Sequence, residues 1–168
     1  MASTLKVQNI QHTNNTTALN IDTNGRILTP ARPSFMARGH LGGTGAYTAA
    51  GVQLRCTVVD HNVGSGYNTG DGKFTCPIAG RYVYGFNLGI AYASSGGQVV
   101  YPYLRKNGSN IHYGYFQAPS ASSYSPISVQ TIIDCAAGDY LDVHIAGTGQ
   151  FYQGLLETTV SYTHLRAH

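Results

Sequence analysis

The chain has 168 residues, 10% of them charged and 42% hydrophobic, with a net charge of +3 at pH 7. Hydrophobic content on this scale excludes a disordered chain, the lack of any Lys/Arg run argues against nucleic-acid binding, and no apolar stretch approaches the roughly 18 residues of a membrane-spanning helix. Charge is far below the roughly 25% of an average soluble protein, so the surface is made of Ser, Thr, Asn, Gln, Tyr and Gly, or is buried against other copies.

The chain opens with "MASTLKVQNI", which has one Lys and no apolar core segment. It does not read as a secretory signal, and synthesis in a cytoplasm is expected. Through residue 31 the apolar positions are Leu5, Val7 and Ile10, then Leu19 and Ile21, then Ile27 and Leu28, separated by "HTNNTT" and the turn "DTNG". These are short strands too thinly hydrophobic to build a core alone. The segment is expected to bury itself against copies of itself or a larger assembly, with "TPARP" as a stiff connector.

Beyond residue 31 period-two alternation replaces any helical pattern. "GHLGGTGAYTAAG" reads as an exposed tip. In "YNTGDGKFTCPIAG", Asp71-Gly72 ends a polar loop and "KFTC" is a short strand. Pro77 cannot donate to a ladder, and Gly80 permits a sharp entry into "RYVYGFNLGI". There the even positions Tyr82, Tyr84, Phe86, Leu88 and Ile90 are all apolar, so one face covers a core. Asn107-Gly108, between two aromatic strand patterns, predicts a type I′ hairpin. "APSASSYSP" is a second exposed tip, and "AAGD" (Ala136 to Asp139) turns between "ISVQTIIDC" and "YLDVHIAG". Eight or more short strands with Gly-rich turns and no long helix predict a sandwich or jelly roll.

The run "GYNTGDGKFTCPIAGRYVYGFNL" resembles the signature of the complement-1q/tumour-necrosis-factor-like globular head. "VYPYLRKNGSNI" is similar to that family's hairpin, "SVQTIIDCAAGDYLDVHI" to its following strand pair, and "GQFYQGLLETT" to the approach to its last strand. The resemblance implies an all-β jelly-roll β-sandwich of ten strands, spanning residues 32–159 and assembled as a homotrimer, with a short N-terminal extended leader at residues 1–31. No Gly-X-Y stalk is present. The leader instead resembles that of virion appendage proteins of tailed phages, which implies a virion location and attachment to other virion proteins through residues 1–31. Residues 160–168, "VSYTHLRAH", depart from the family pattern. Back-translated, they resemble a sequencing adapter and are read as a non-native tail in the last-strand slot, with the native sequence continuing after Thr159.

The expected function is non-enzymatic: a fibre or appendage head contacting host surface glycan or receptor. A capsid decoration protein is one alternative. A secreted complement-1q-like ligand is another, and it expects a signal peptide and paired cysteines. Tyr82, Tyr84, Phe86, Tyr101, Tyr103, Tyr113 and Tyr115 are assigned to packing or a trimer seam, because Tyr combines apolar area with a hydroxyl. His40, Tyr47, Ser122 and Tyr124, on or beside the two tips, are the receptor-contact candidates.

Catalytic and metal chemistry find little support. The seven His include His40 and His61 in expected loops and His112 and His144 in strands, with no ligand-type spacing. Asp71 and Asp139 read as turn formers rather than calcium ligands, and no cofactor is expected. No nucleophile-elbow sequence exists. Cys56, Cys76 and Cys135, odd in number, read as small buried hydrophobes in a reducing compartment. The Asn-X-Ser/Thr matches read as chance occurrences.

Overall fold

A computed structural model describes residues 6–29, 32–40, 46–48, 52–91, 99–117, 124–147, 150–152 and 159–165. The chain divides into two units, Met1–Arg32 and Pro33–His168.

The first unit is a three-stranded antiparallel sheet of β1 (Asn9–Gln11), β2 (Thr17–Ile21) and β3 (Ile27–Leu28). Its second turn is built by Asp22, whose carboxylate accepts from the amides of Asn24 and Arg26, each at 2.9 Å, and from Arg26 Nε at 2.6 Å. None of its described residues is buried, and Ile10, Ile27 and Leu28 are exposed. A sheet with no covered face has little to offset the entropy of ordering its backbone. Of the connector "TPARP", residues 30 and 31 lie outside the described residues.

The second unit begins with β4 (Ser34–His40), β5 (Ala46–Thr48), β6 (Val52–Leu54), β7 (Cys56–Val63), β8 (Tyr67–Asn68) and β9 (Lys73–Thr75). There follow β10 (Gly80–Ala91), β11 (Val99–Lys106), β12 (Ser109–Tyr113), β13 (Phe116–Gln117), β14 (Tyr124–Cys135) and β15 (Tyr140–Gly147). The last two are β16 (Gln150–Tyr152) and β17 (Thr159–Leu165), and no helix occurs among the described residues. One sheet has the order β14-β10-β17-β4-β7. The other runs β12-β11-β15-β9-β8, with β13 on β11 and β6 on β15. A small sheet pairs β5 with β16.

The even positions of β10 face inward as the alternation requires: Tyr82, Tyr84, Phe86 and Leu88 are buried. They meet Phe35 and Ala37 from β4, Phe74 from β9, Val100 and Leu104 from β11, and Leu141, Val143 and Ile145 from β15. Phe35 stacks between Tyr67 at 4.7 Å and Phe74 at 4.9 Å. The buried Tyr67 hydroxyl accepts from Cys56 N and donates to Cys56 O, so no polar atom of that ring is stranded. Burial pushes the phenols of Tyr84 and Tyr67 well up, and that of Tyr82, whose hydroxyl donates to Ile78 O, to about 12.

Two turns follow their sequence chemistry. Asn107 and Gly108 both take positive φ, 50° and 81°, as a type I′ turn demands. Gly72 has φ 65°, and a Cβ there would lie 2.9 Å from Leu54 O, so both conformation and space require glycine. Two expected loop residues differ. His40 closes β4, and His61 lies within β7, where Ser34 Oγ and His61 Nε2 are 2.7 Å apart. The segment around His61 lacks alternation because β7 is an edge strand, and a polar, exposed edge suffices for pairing.

Candidate recognition face

Residues Tyr101, Tyr103 and Arg105 alternate with buried Val100, Pro102 and Leu104, so they stand on the outer face of β11. Tyr113 lies directly across from Tyr103, with ring centroids 6.2 Å apart, and Tyr115 meets Tyr101 edge-on at 5.4 Å. Tyr113 is 63% exposed and Tyr115 54%, whereas Tyr101 and Tyr103 are half-buried. The result is a tyrosine ladder with ring area available to a partner.

On the other side of β11, Tyr103 faces His144 and Arg105 faces Asp142 across the ladder to β15. Arg105 donates from Nε and Nη2 to Gly108 O, at 3.1 and 2.7 Å, which holds the guanidinium flat against the hairpin. Its Nη1 lies 2.8 Å from His144 Nε2, and that same nitrogen is 3.1 Å from Asp142 Oδ2. His144 Nε2 therefore stands between a donor and an acceptor, and its protonation decides which contact is a hydrogen bond. The Asp142 side chain is only 3% exposed, with Arg105 Nε 3.8 Å from Oδ1, and Oδ1 has no hydrogen bond among the described residues. Farther along the face the Lys73 ammonium lies 4.4 Å from the Tyr140 ring centroid. Rings for stacking thus adjoin groups that donate and accept hydrogen bonds.

The outer face of the five-stranded sheet differs. Ile132 is 60% exposed and Met36 40%, and they share this face with Val83 and Gly85. Ion pairs Arg81–Asp134 (3.0 Å) and Arg38–Asp60 (2.9 Å) also lie on this sheet.

One end of the sandwich is closed by Asp139. Its Oδ2 accepts from Ala136 N at 2.8 Å and pairs with Lys106 Nζ at 2.9 Å, while Oδ1 accepts from Asn107 Nδ2 at 2.8 Å. These contacts, Lys106 foremost, hold the carboxyl down to about 2. Asp139 O accepts from Cys76 N, and Cys76 O accepts from Gly138 N. The motifs "KFTCP", "LRKNG" and "CAAGD" therefore meet at one place. Asp71 is likewise a turn former, accepting from Lys73 N at 3.1 Å. Among the described residues no group of three or more His, Cys, Asp or Glu is placed to hold a metal.

The C1q domain family matches residues 44–163, most of the chain. This chain belongs to the C1q domain family. The globular domain of zebrafish complement 1qA protein has a similar structure, with TM-score 0.57 and 14% identity over 80% of this chain and 99% of that one. No curated protein matches the chain by sequence. The C1q domain is generally a recognition fold rather than an enzyme, and the expected sandwich of this type is the observed one.

Within this C1q domain the sequence candidates separate. Tyr82, Tyr84 and Phe86 pack the protomer's own core, which leaves them no surface for a seam between copies. Tyr101, Tyr103, Tyr113 and Tyr115 come together on the outer face. His40, Tyr47 and Tyr124 are placed as strand backbone, with no account of their side chains, and Ser122 lies outside the described residues. Sequence reading passed over Arg105, Asp142 and His144 as members of a site. Their signal was parity, since Arg105 shares the face of Tyr101 and Tyr103, and His144 that of Asp142. The C1q match runs to residue 163, and β17 lies between β10 and β4.

Proposed function

We propose that this C1q domain is the non-enzymatic, homotrimeric recognition head of a virion appendage, and that it contacts surface glycan. The observation that carries the reading is the exposed tyrosine ladder beside the Arg105–His144–Asp142 cluster. Tyrosine rings stack on the C–H faces of sugars, while the partly exposed guanidinium and imidazole, backed by the buried Asp142 carboxylate, can exchange hydrogen bonds with hydroxyls. Contact of this kind on an open face is weak, and three copies in one trimer multiply it into avidity. Self-association is supported by the exposure of the apolar side chains Ile132 and Met36 on one face, which contact with a second copy would cover. The coreless three-stranded leader supports attachment to a larger assembly, and its sequence resemblance supports a virion as that assembly. The test is binding of the purified full chain to host envelope glycans. Retention that drops when Tyr113 and Tyr115 become Ala supports the reading, and retention unaffected by that double change removes this face from it.

A further inference from the structure

Two turns of the chain carry an Asn-Gly pair, Asn24-Gly25 in the first unit and Asn107-Gly108 in the sandwich. In both the Asn is exposed and the Gly has positive φ, 78° and 81°. The side chains are held differently. Asn107 Nδ2 donates to Asp139 Oδ1 at 2.8 Å, and Asn107 Oδ1 accepts from Tyr140 N at 2.9 Å. Asn107 N donates to Tyr140 O at 2.9 Å, so side chain and backbone are bound to the same segment. The Asn24 side chain has no hydrogen bond among the described residues; the residue is held through its backbone N–H, which donates to Asp22 Oδ1. A Cβ added at Gly25 would meet nothing within 4 Å, whereas one at Gly108 would lie 3.2 Å from Arg105 Nη2 and 3.3 Å from the Tyr140 hydroxyl. We infer that Asn24 is a site of spontaneous deamidation to aspartate and isoaspartate, and that the sandwich protects Asn107 from the same reaction.

The reaction needs the free Asn24 amide to swing toward the backbone nitrogen of Gly25, which carries no side chain to obstruct the approach. That nitrogen attacks Asn24 Cγ: a C–N bond forms, the proton on Gly25 N passes to solvent, and the side-chain nitrogen leaves as ammonia. Water then opens the cyclic imide at either carbonyl, giving aspartate or isoaspartate, so one water is consumed for each ammonia released. Gly25 N must first let go of Asp22 O, to which it donates at 2.9 Å. In a sheet without a buried residue such an opening costs little. At Asn107 the same swing breaks two side-chain hydrogen bonds, one of them to a carboxylate, and strands the Tyr140 amide. Isoaspartate at residue 24 routes the main chain through the former side-chain carbon and sets a new carboxylate beside Asp22. The lengthened turn can no longer present the Arg26 amide to Asp22 Oδ1, and β3, paired with β2 at Asn20↔Leu28 and Ile21↔Ile27, loses the turn that docks it.

This inference is independent of the glycan reading. The full chain is incubated at mildly alkaline pH and physiological temperature, sampled over time and digested, and fragmentation of the peptides locates aspartate and isoaspartate. Asn24 should convert at least about tenfold faster than Asn107, the scale set by one side-chain hydrogen bond that must break at Asn107. In urea, where the turns are gone, the two Asn-Gly pairs should convert at similar rates. The variant Asp139→Ala should speed conversion at Asn107 and leave Asn24 as it was. Equal rates in the folded chain, an intact Asn24, a difference that persists in urea, or an Asn107 rate unchanged in Asp139→Ala would each overturn the inference.

Discussion

The outer faces of the two sheets begin from the same period-two alternation and differ in where they expose aliphatic and aromatic side chains. On the five-stranded sheet the outward positions of β10 and β14 mix small or aliphatic residues, Val83, Gly85 and Ile132, with the polar Arg81, Asn87, Ser128, Gln130 and Asp134, and Met36 joins them from β4. On the seven-stranded sheet the outward positions of β11 and β15 are Tyr101, Tyr103, Arg105, Asp142 and His144. Exposed aliphatic side chains such as Ile132 and Met36 gain by exclusion of water and suit contact with a copy of the chain. A face of rings and hydrogen-bonding groups can be left in water without a large cost, and so can wait for a partner. The proposed function uses this contrast, with self-association on one side of the sandwich and recognition on the other.

The largest expected effect removes both faces together. Phe74 is fully buried between the sheets and stacks on Phe35, so Phe74→Ala should cost about 3–5 kcal/mol in a urea titration. A loss well below that would show that the sheets do not depend on one shared core. Next, Ile132→Arg places a charge beside Val83 on the outer face of the five-stranded sheet. Light scattering should then give the protomer mass in place of the trimer mass, with the β-type circular dichroism retained. An unchanged trimer would move the seam elsewhere. On the other face, Tyr113→Ala with Tyr115→Ala should weaken glycan binding per head by about tenfold, on the scale of aromatic contacts. Oligomer mass should stay as it was, and a joint loss of binding and mass would erase the distinction between the faces.

The smallest effect concerns the clamp that fixes the β11–β12 hairpin to the sandwich. Asp139 is more acidic in the folded protein, at about 2, than an ordinary carboxyl, because Lys106, Asn107 and the Ala136 amide bind its charged form. Its contribution is complete above the ordinary carboxylate range and drains away as pH falls toward about 2. Lys106 is correspondingly raised, so its share of the pair persists up to the ordinary lysine range and is lost only as pH rises through the elevated folded value. Melting curves of Asp139→Asn should therefore lie below those of the unmodified protein at neutral pH and converge with them in acid. Parallel curves at every pH would remove Asp139 from the clamp.

Local chemistry made several elements legible in advance. Asn107-Gly108 is a pair that tolerates positive φ twice, and it formed the expected hairpin. The apolar even positions of "RYVYGFNLGI" became the buried face of β10, because a strand has no other way to present them. Asp71-Gly72 closed its loop for the same local reason. His61 was misread because an edge strand carries no alternation to recognise. The candidate site was only half legible. Six tyrosines were singled out for packing or a seam, but nothing local distinguished Tyr101 and Tyr103, which share an outer ladder, from Tyr82 and Tyr84, which line a core.

What the sequence determined by itself was therefore the class of fold, the principal turns and the parity of each strong strand, all consequences of backbone sterics and of side chains pointing alternately up and down. Tertiary structure alone decided which parity faced outward in company. It set Arg105 opposite Asp142 and Tyr103 opposite His144. Those meetings depend on the register between strands far apart in the chain, where each contact is chosen by the packing of the whole core rather than by its neighbours in sequence.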